Sequence, residues 1–245
     1  MIRMAKSNGK GKGHPVVSHG EWLAARSAFL TTEKEFTRER DKLSRQRREL
    51  PWEKVEKEYS FEGLGGPESL ATLLEDSSQL IVYHFMFPPD WDEGCLHCSF
   101  WADSFNGTDI HLKARDISFA AVSGAPLAKI TPFKTRMGWS FKWVSSHDSD
   151  FNYDYQASFT PADVESGAPV FNYSTLVPGM SDREGASAFY KDPDGTIFHT
   201  YSTYGRGIDI LNGAYNFIDL TAKGRDEDGL PGTQDWVRFH DRYED

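Results

Sequence analysis

The residues best suited to chemistry in this chain are two cysteines, in the segment Gly94-Cys95-Leu96-His97-Cys98. They are the only cysteines among the 245 residues of the sequence. Two thiols at Cys-x-x-Cys spacing can form and break a disulfide, with one thiolate attacking and the other thiol resolving the product. Cys95 is the candidate nucleophile because it lies nearer the start of the predicted helix, where unpaired N–H groups favour a thiolate. Cys98 is the candidate resolving thiol. The spacing therefore predicts thiol–disulfide redox chemistry.

Several neighbours of the dithiol are candidate modulators. A cationic imidazole at His97 would stabilise the thiolate, whereas ionised carboxylates in the loop 90–93, Asp92 among them, would raise the thiol pKa. Trp91 and Trp101 flank the cysteines, where they can form an apolar wall for a bound reactant or pack into the core. The balance between these charges depends on distances that the sequence does not supply.

Peroxide reduction is an alternative chemistry. Pro88, Asp92 and Cys95 follow the spacing of the peroxiredoxin motif Pro-x-x-x-Thr-x-x-Cys, with Asp92 in place of Thr. An ionised carboxylate accepts hydrogen bonds but cannot donate one to a peroxide oxygen. Arg115 or Arg136 could supply a guanidinium, although the sequence places neither beside Cys95. Peroxidase activity is therefore the second hypothesis.

Zinc binding is less well supported. A structural zinc site needs four Cys or His ligands, commonly in two closely spaced pairs, and this chain has one such pair. His84, His97, His111 and His199 are scattered, and a site would require His84 and His199 to converge on the dithiol from adjacent strands. His84 more simply reads as a core histidine with satisfied hydrogen bonds. We expect no metal and no cofactor.

Local patterns around the cysteines predict strands alternating with helices. The apolar run at 80–87 is predicted as a buried strand that leads into the Cys-x-x-Cys segment. A helix at 95–105, a strand at 117–122, a helix from Pro126 to about Met137 and a strand at 141–145 are predicted to follow. This alternation implies parallel strands in an α/β fold, and Cys-x-x-Cys in a βαβ setting indicates a thioredoxin-like redox motif.

The flanking segments predict a hairpin and several connecting elements. A tight turn is predicted at Asp192-Pro193-Asp194-Gly195, between a strand at 186–190 and a return strand at 196–203. The other predicted elements are a short strand at 59–61, a helix from Gly65-Gly66-Pro67 through Leu74, an insertion at about 148–180 and a last helix at about 208–220.

A long helix is predicted at 19–48, where Ser18 and Glu21 have the spacing of a capping box. Apolar residues recur every seven positions, at Trp22, Phe29, Phe36, Leu43 and Leu50. The intervening positions of a true coiled coil are not apolar, so the stripe is narrow. We interpret it as a helix that packs on the body of the protein or on a partner chain, with a homodimer as one possibility. The expected organisation is a disordered basic tail (1–14), a helical extension (15–52) and a thioredoxin-like domain (53–245).

Composition limits the partners and the compartment. The formal charge of −10 argues against broad nucleic-acid binding, and no apolar run reaches the length of a membrane span. The basic residues near the N-terminus are not followed by the apolar stretch of a secretory signal. We therefore expect a soluble cytoplasmic protein, where a lone cysteine pair is more often catalytic than structural.

Seven segments of the chain resemble one known family. They are Trp22–Arg26, Gln79–Met86, Cys95–Asp103, Arg136–Trp139, Trp143–Ser146, Asp150–Asp154 and His199–Ser202. The chain resembles, from about residue 15 to its end, a bacterial thioredoxin-like family of predicted dithiol–disulfide oxidoreductases, domain of unknown function 899. The resemblance implies a fold and a reaction class but names no substrate. Thioredoxins hold a substrate chain with a cis proline just before the strand that matches 186–190, and this sequence has no proline immediately there.

The expected partners follow from the reaction class. They are a disulfide-containing protein or small molecule and an unidentified thiol reductant, with no nucleic acid and no membrane. A non-enzymatic alternative also stands, in which the fold is a binding module and the cysteines sense the redox state or form an inert pair.

Overall fold

The computed structural model describes residues 13–167, 169–175 and 181–243, and the chain divides into two units between Leu50 and Pro51. The predicted disordered tail lies almost entirely outside the described residues, as does part of the predicted insertion. Among the described residues, no helix combines the length and the apolar character needed to cross a lipid bilayer.

The first unit contains the long helix α1 (His19–Arg48), which confirms the predicted range. Its capping box forms as the sequence indicates, because Ser18 Oγ accepts from the Glu21 N–H at 3.3 Å while the Glu21 carboxylate accepts from the Ser18 N–H at 3.0 Å. No described residue of α1 is buried, and the side chains of the seven-residue repeat are exposed, Phe36 to 68%.

The second unit is built on a mixed sheet. Its strands are β1 (Glu53–Lys54), β2 (Ser60–Gly63), β3 (Gly66–Ser69), β4 (Gln79–His84), β5 (Ile117–Ser123), β6 (Lys142–Ser145), β9 (Gly185–Lys191) and β10 (Ile197–Tyr204), with a separate two-stranded pair formed by β7 (Val170–Phe171) and β8 (Ser174–Thr175). The order across the main sheet is β1-β10-β9-β4-β5-β6-β2-β3.

Helices connect and flank these strands. They are α2 (Leu70–Leu73), α3 (Leu96–Ala102), α4 (Thr108–Lys113), α5 (Leu127–Arg136), α6 (Phe151–Asp154), α7 (Pro161–Ser166) and α8 (Gly213–Ile218), with a 3-10 helix at Gly205–Leu211.

The centre of the sheet has the predicted thioredoxin-like arrangement. Strands β4, β5 and β6 are parallel and are joined through helices, while the β9–β10 hairpin adds antiparallel to the other side of β4. The hairpin turn forms as predicted, since Gly195 has φ +89° and its N–H donates to the Asp192 carbonyl at 2.9 Å. The α/β class and the central sheet flanked by helices are therefore confirmed.

Two apolar cores cover the two faces of this sheet. Because successive strand residues point to opposite faces, β4 supplies Leu80 and Val82 to one core and Tyr83 to the other. The two cysteines belong to the core that contains Tyr83, together with Trp101. The dithiol therefore lies on one defined face of the sheet.

Two predicted helices differ from the structure. Pro67 lies in strand β3, and the following helix begins later because Ser69 and Thr72 cap it, with the Thr72 hydroxyl accepting from the Ser69 N–H at 2.8 Å. The last predicted helix is split into the 3-10 helix and α8, because the Asn212 side chain caps α8 by accepting from the Tyr215 N–H at 2.9 Å.

Candidate functional site

The dithiol lies where the chain leaves β4 and enters α3. The Met86 backbone holds both cysteines, because its carbonyl accepts from the Cys95 N–H at 2.9 Å and its own N–H donates to Cys98 Sγ at 3.5 Å. Cys95 is the N-cap of α3, and Cys98 lies one turn into the helix. The end of the central strand therefore sets the position of both sulfurs.

The two cysteines are free and lie close together. Cys95 and Cys98 approach to 3.8 Å, and the Cys98 N–H donates to Cys95 Sγ at 3.5 Å. Both residues are buried, with 8% of Cys95 and 2% of Cys98 exposed. This separation allows a disulfide to form after a small movement of the sulfurs.

The surroundings shift the pKa values of the two thiols in opposite directions. A hydrogen bond from the Cys98 thiol and N–H groups of Cys98 and His97 lower the pKa of Cys95, against the opposing effects of burial and of Glu184. Burial raises the pKa of Cys98, and proximity to Cys95 and Glu184 adds to that rise. Cys95 is therefore the more readily ionised of the two thiols.

A pocket of about 430 Å³ opens onto the sulfurs. Its walls come from β4, α3, the segment before β9, the 3-10 helix and the C-terminal segment. The lining residues used below are Tyr83, His97, Trp101, Glu184, Asp209 and Gln234. This pocket is the route by which a reactant can reach Cys95.

Glu184 is a site residue that the sequence did not indicate. It precedes β9, and Gly185 pairs with His84, so Glu184 lies beside the end of β4 from which the dithiol segment begins. Burial raises the pKa of its carboxyl group, and its charge in turn raises the pKa of both cysteines and of Tyr83. Glu184 thus lies in the wall of the dithiol pocket, together with Arg183, whose charge partly offsets the effect of burial on the Glu184 pKa.

Tyr83 is a second residue at the site. Its hydroxyl is buried without a hydrogen-bond partner among the described residues, and burial together with Cys98 raises its pKa well above the ordinary value. A phenol O–H in this position can donate to a reactant or to a sulfur.

Two of the predicted modulators line the pocket. Trp101 is buried in its wall, with Nε1 donating to the Ile208 carbonyl at 2.9 Å. His97 also lines the pocket, but burial lowers its pKa, which favours the neutral imidazole over the cation considered from the sequence. The contribution of His97 to the thiolate comes through its backbone N–H.

Three other candidates do not line this pocket. The side chain of Asp92 is fully exposed and lies 4.0 Å from Lys129 Nζ. The backbone carbonyl of Trp91 accepts a hydrogen bond from the same lysine at 2.8 Å. Arg136 pairs with Glu93 and with Asp241, the latter at 2.9 Å. Neither Asp92, at the peroxiredoxin-motif position, nor the candidate Arg136 therefore contributes to the pocket that opens onto Cys95.

His84 lies on the face of the sheet opposite the dithiol. Its Nδ1 lies 3.0 Å from Asn152 Oδ1 and its Nε2 lies 2.8 Å from Ser187 Oγ, while burial lowers its pKa to about 4. These contacts agree with the core histidine that the sequence favoured.

His84 and His199 are not on adjacent strands, because β9 separates them. Ser187 and Ser202 bridge the two rings through hydroxyl contacts of 2.7 to 2.8 Å. Within the described parts of the chain, no group of three or more His, Cys, Asp or Glu side chains is arranged to hold a metal ion.

Comparison with solved structures finds redox proteins at low similarity. A peroxidoxin, BcpB, from Mycobacterium tuberculosis has 13% identity and a TM-score of 0.44, covering 68% of this chain and 96% of its own. A PrxQ mutant from Xylella fastidiosa has 12% identity and a TM-score of 0.40, covering 65% and 89%. A putative thiol:disulfide interchange protein DsbE from Chlorobium tepidum has 14% identity and a TM-score of 0.38, covering 69% and 94%.

Comparison at the level of sequence gives one family. The model described as "Bacterial protein of unknown function (DUF899)" matches residues 11–243. Among curated proteins, none matches this chain significantly.

Proposed function

We propose that this chain, which belongs to the DUF899 family of bacterial proteins, is a thiol–disulfide oxidoreductase in which Cys95 attacks and Cys98 resolves. The observation that carries the proposal is the pair of free cysteines, which approach to 3.8 Å in the wall of an open pocket and of which only Cys95 has a lowered pKa. An inert structural pair would need neither this access nor this difference.

The reaction proceeds in two exchanges. The Cys95 thiolate attacks one sulfur of the substrate disulfide, a bond forms between Cys95 and that sulfur, and the other half leaves as a thiolate that takes up a proton. Cys98 then loses its proton and attacks Cys95 Sγ, which closes the Cys95–Cys98 disulfide and releases the second half as a thiol. Two electrons pass from the protein to the substrate, and an external thiol reductant returns them to the protein.

The depth of the sulfurs restricts the reactant. With Cys98 exposed to only 2% and Cys95 to 8%, a reactant must enter the pocket to reach sulfur. A small disulfide or a thin, flexible chain fits this access better than a disulfide within a folded domain. Disulfide exchange is preferred to peroxide reduction because neither Asp92 nor Arg136 lines the pocket that opens onto Cys95, and an ionised carboxylate at position 92 cannot donate a hydrogen bond to a peroxide oxygen.

Single substitutions test the assignment. Reduced protein is mixed with bis(2-hydroxyethyl) disulfide, quenched with acid, alkylated and weighed by mass spectrometry. We expect the wild-type chain to close its disulfide and Cys98→Ser to stop at a mixed disulfide on Cys95. Cys95→Ser should react at least about 100-fold more slowly, because the remaining thiol is buried and poorly ionised. A Cys95→Ser variant that reacts as fast as the wild type would overturn the proposal.

The same experiment separates the alternatives. Hydrogen peroxide in place of the disulfide measures peroxidase activity, and a faster reaction with peroxide would favour that hypothesis. If the Cys95–Cys98 disulfide forms but the protein does not consume the substrate catalytically in the presence of excess dithiol reductant, a redox-sensing binding module would be favoured.

A further inference from the structure

Tyr83 carries a buried hydroxyl group that packing alone does not explain. The side chain is fully buried, and its hydroxyl has no hydrogen-bond partner in the part of the chain that the structure describes. The ring packs against Phe105 and Phe85, with ring centres 4.8 and 6.2 Å away. Because a buried polar group without a partner costs stability, a phenylalanine would serve the packing better.

The hydroxyl lies close to the thiol that must ionise in the second exchange. Tyr83 and Cys98 line the same pocket and belong to the same core cluster. After burial, Cys98 is the largest cause of the raised Tyr83 pKa, which agrees with a short distance between the phenol and this sulfur. The unpartnered donor is thus beside one of the two reacting sulfurs.

A negative charge on Cys98 is poorly stabilised by its other neighbours. Burial raises the Cys98 pKa, and its sulfur accepts from the Met86 N–H at the long distance of 3.5 Å. Arg183 and Arg206 also line the pocket, but among the described residues no hydrogen bond joins either guanidinium to a sulfur, and Arg206 pairs with Asp209 at 3.2 Å. A phenol with a raised pKa keeps its proton and can donate it in a hydrogen bond to a thiolate.

We propose that the Tyr83 hydroxyl donates a hydrogen bond to the Cys98 sulfur whenever that sulfur carries negative charge. The inference rests on the proposed function and adds a residue to its second exchange. When Cys98 attacks Cys95, the S–H bond of Cys98 breaks, the Cys95–Cys98 bond forms, and the proton passes to the thiol that is released. When a thiol reductant later attacks Cys95, a bond forms between Cys95 and the reductant, and Cys98 leaves as a thiolate that takes up a proton. Tyr83 keeps its own proton in both steps.

Tyr83→Phe tests the inference because it removes the hydroxyl and keeps the ring. Reduced protein is mixed with bis(2-hydroxyethyl) disulfide at concentrations where attack is faster than closing, and acid-quenched samples are weighed by mass spectrometry. We expect the mixed disulfide on Cys95 to form at the wild-type rate, since Cys98 stays neutral in that step. Closing of the Cys95–Cys98 disulfide should slow by about 10-fold or more, the size of a hydrogen bond to a charged group. Reopening by 2-mercaptoethanol should slow similarly.

Tyr215→Phe is the matched control, because it removes a buried hydroxyl from the same core cluster. The Tyr215 hydroxyl has a partner, since it donates to Glu227 Oε1 at 2.7 Å, and Tyr215 does not line the pocket. We expect Tyr215→Phe to lower the urea midpoint of unfolding and to keep the wild-type rates of attack, closing and reopening. Tyr83→Phe should show the reverse, with the midpoint kept and closing slowed.

The outcomes separate this inference from the proposed function. A Tyr83→Phe chain that closes its disulfide as fast as the wild type, or that slows attack and closing equally, would overturn the role of Tyr83 and leave the oxidoreductase standing. A loss of stability as large as that of Tyr215→Phe, or a failure to fold, would overturn it too, because the hydroxyl would then have a structural partner. A wild-type dithiol that does not react with the neutral disulfide would overturn both.

Discussion

At the scale of single residues, the two cysteines are unequal because each has different neighbours. Cys95 accepts hydrogen bonds from the start of α3 and from the Cys98 thiol, whereas Cys98 is 2% exposed and lies in the same core cluster as Tyr83 and Met86. The same spacing with both thiols in solvent would leave them nearly equivalent. The division into attacking and resolving thiols is thus a consequence of burial as much as of sequence order.

The buried histidine on the opposite face makes stability depend on pH. The folded-state pKa of His84 is about 4, below its ordinary unfolded value of about 6.5, so the unfolded chain binds the proton first. Its contribution is complete above about pH 6.5 and is lost as the pH falls toward 4, by about 3 kcal/mol in all. Urea unfolding across this range should show that His84→Gln removes this loss.

Asp182 is expected to make stability depend on pH in the opposite direction and therefore serves as a control. Burial raises its pKa to about 6, so its contribution to stability is complete at low pH and is lost as the pH rises through that value. Asp182→Asn should therefore remove a gain of stability on acidification, where His84→Gln removes a loss. Identical pH slopes in the two variants would contradict both assignments.

The residues of the site differ in how far the sequence could reveal them. Cys95 and Cys98 were predicted because spacing and a preceding apolar run are local signals. Glu184 was not, because it follows the dithiol by more than eighty residues and reaches it only through the pairing of Gly185 with His84. Its identity as a site residue depends on a strand register that no local pattern encodes.

At the scale of elements, the entry to α3 depends on a glycine. A Cβ at Gly94 would lie 2.7 Å from ring carbons of both Phe85 and Phe133, which are buried. Gly94→Ala should destabilise the fold by about 1–3 kcal/mol, the usual cost of overpacking, and displace Cys95. Urea unfolding and the rate of disulfide exchange measure the two effects.

Gly124 provides the matched comparison for that substitution. A Cβ there would meet its nearest atoms at 3.8 and 3.9 Å, which is ordinary contact. We expect Gly124→Ala to change stability by less than about 1 kcal/mol. Equal effects of the two substitutions would show that the clash at Gly94 is relieved without cost.

The elements themselves were predictable where the local signals were strong. The capping box of α1, the apolar run of β4 and the Asp-Pro-Asp-Gly turn each act over a few residues, and each forms as expected. Pro67 misled the prediction because proline suits both a first helical turn and an edge strand, and β3 is the last strand of the sheet. The pairing partner decides between these two states, and it is distant in sequence.

At the scale of the whole molecule, the central sheet separates two polar systems. The dithiol and Glu184 lie on one face, while the hydrogen-bonded series His84, Ser187, Ser202 and His199 lies on the other. The sheet thus keeps the dithiol apart from the buried His84 and the half-buried His199. Substitutions on the second face should act through stability and leave the exchange chemistry in place.

Because the two cysteines are buried to different extents, alkylation can report the redox state of the dithiol. Iodoacetamide that enters the pocket reaches Cys95 long before Cys98, which is 2% exposed. We expect one carbamidomethyl group on the reduced native protein, two on the same protein in urea and none on the oxidised form, as counted by intact mass. Cells alkylated before lysis would then report, from a single mass spectrum, the proportion of molecules in the oxidised form. Two rapid labels on the native chain would show that Cys98 is not protected.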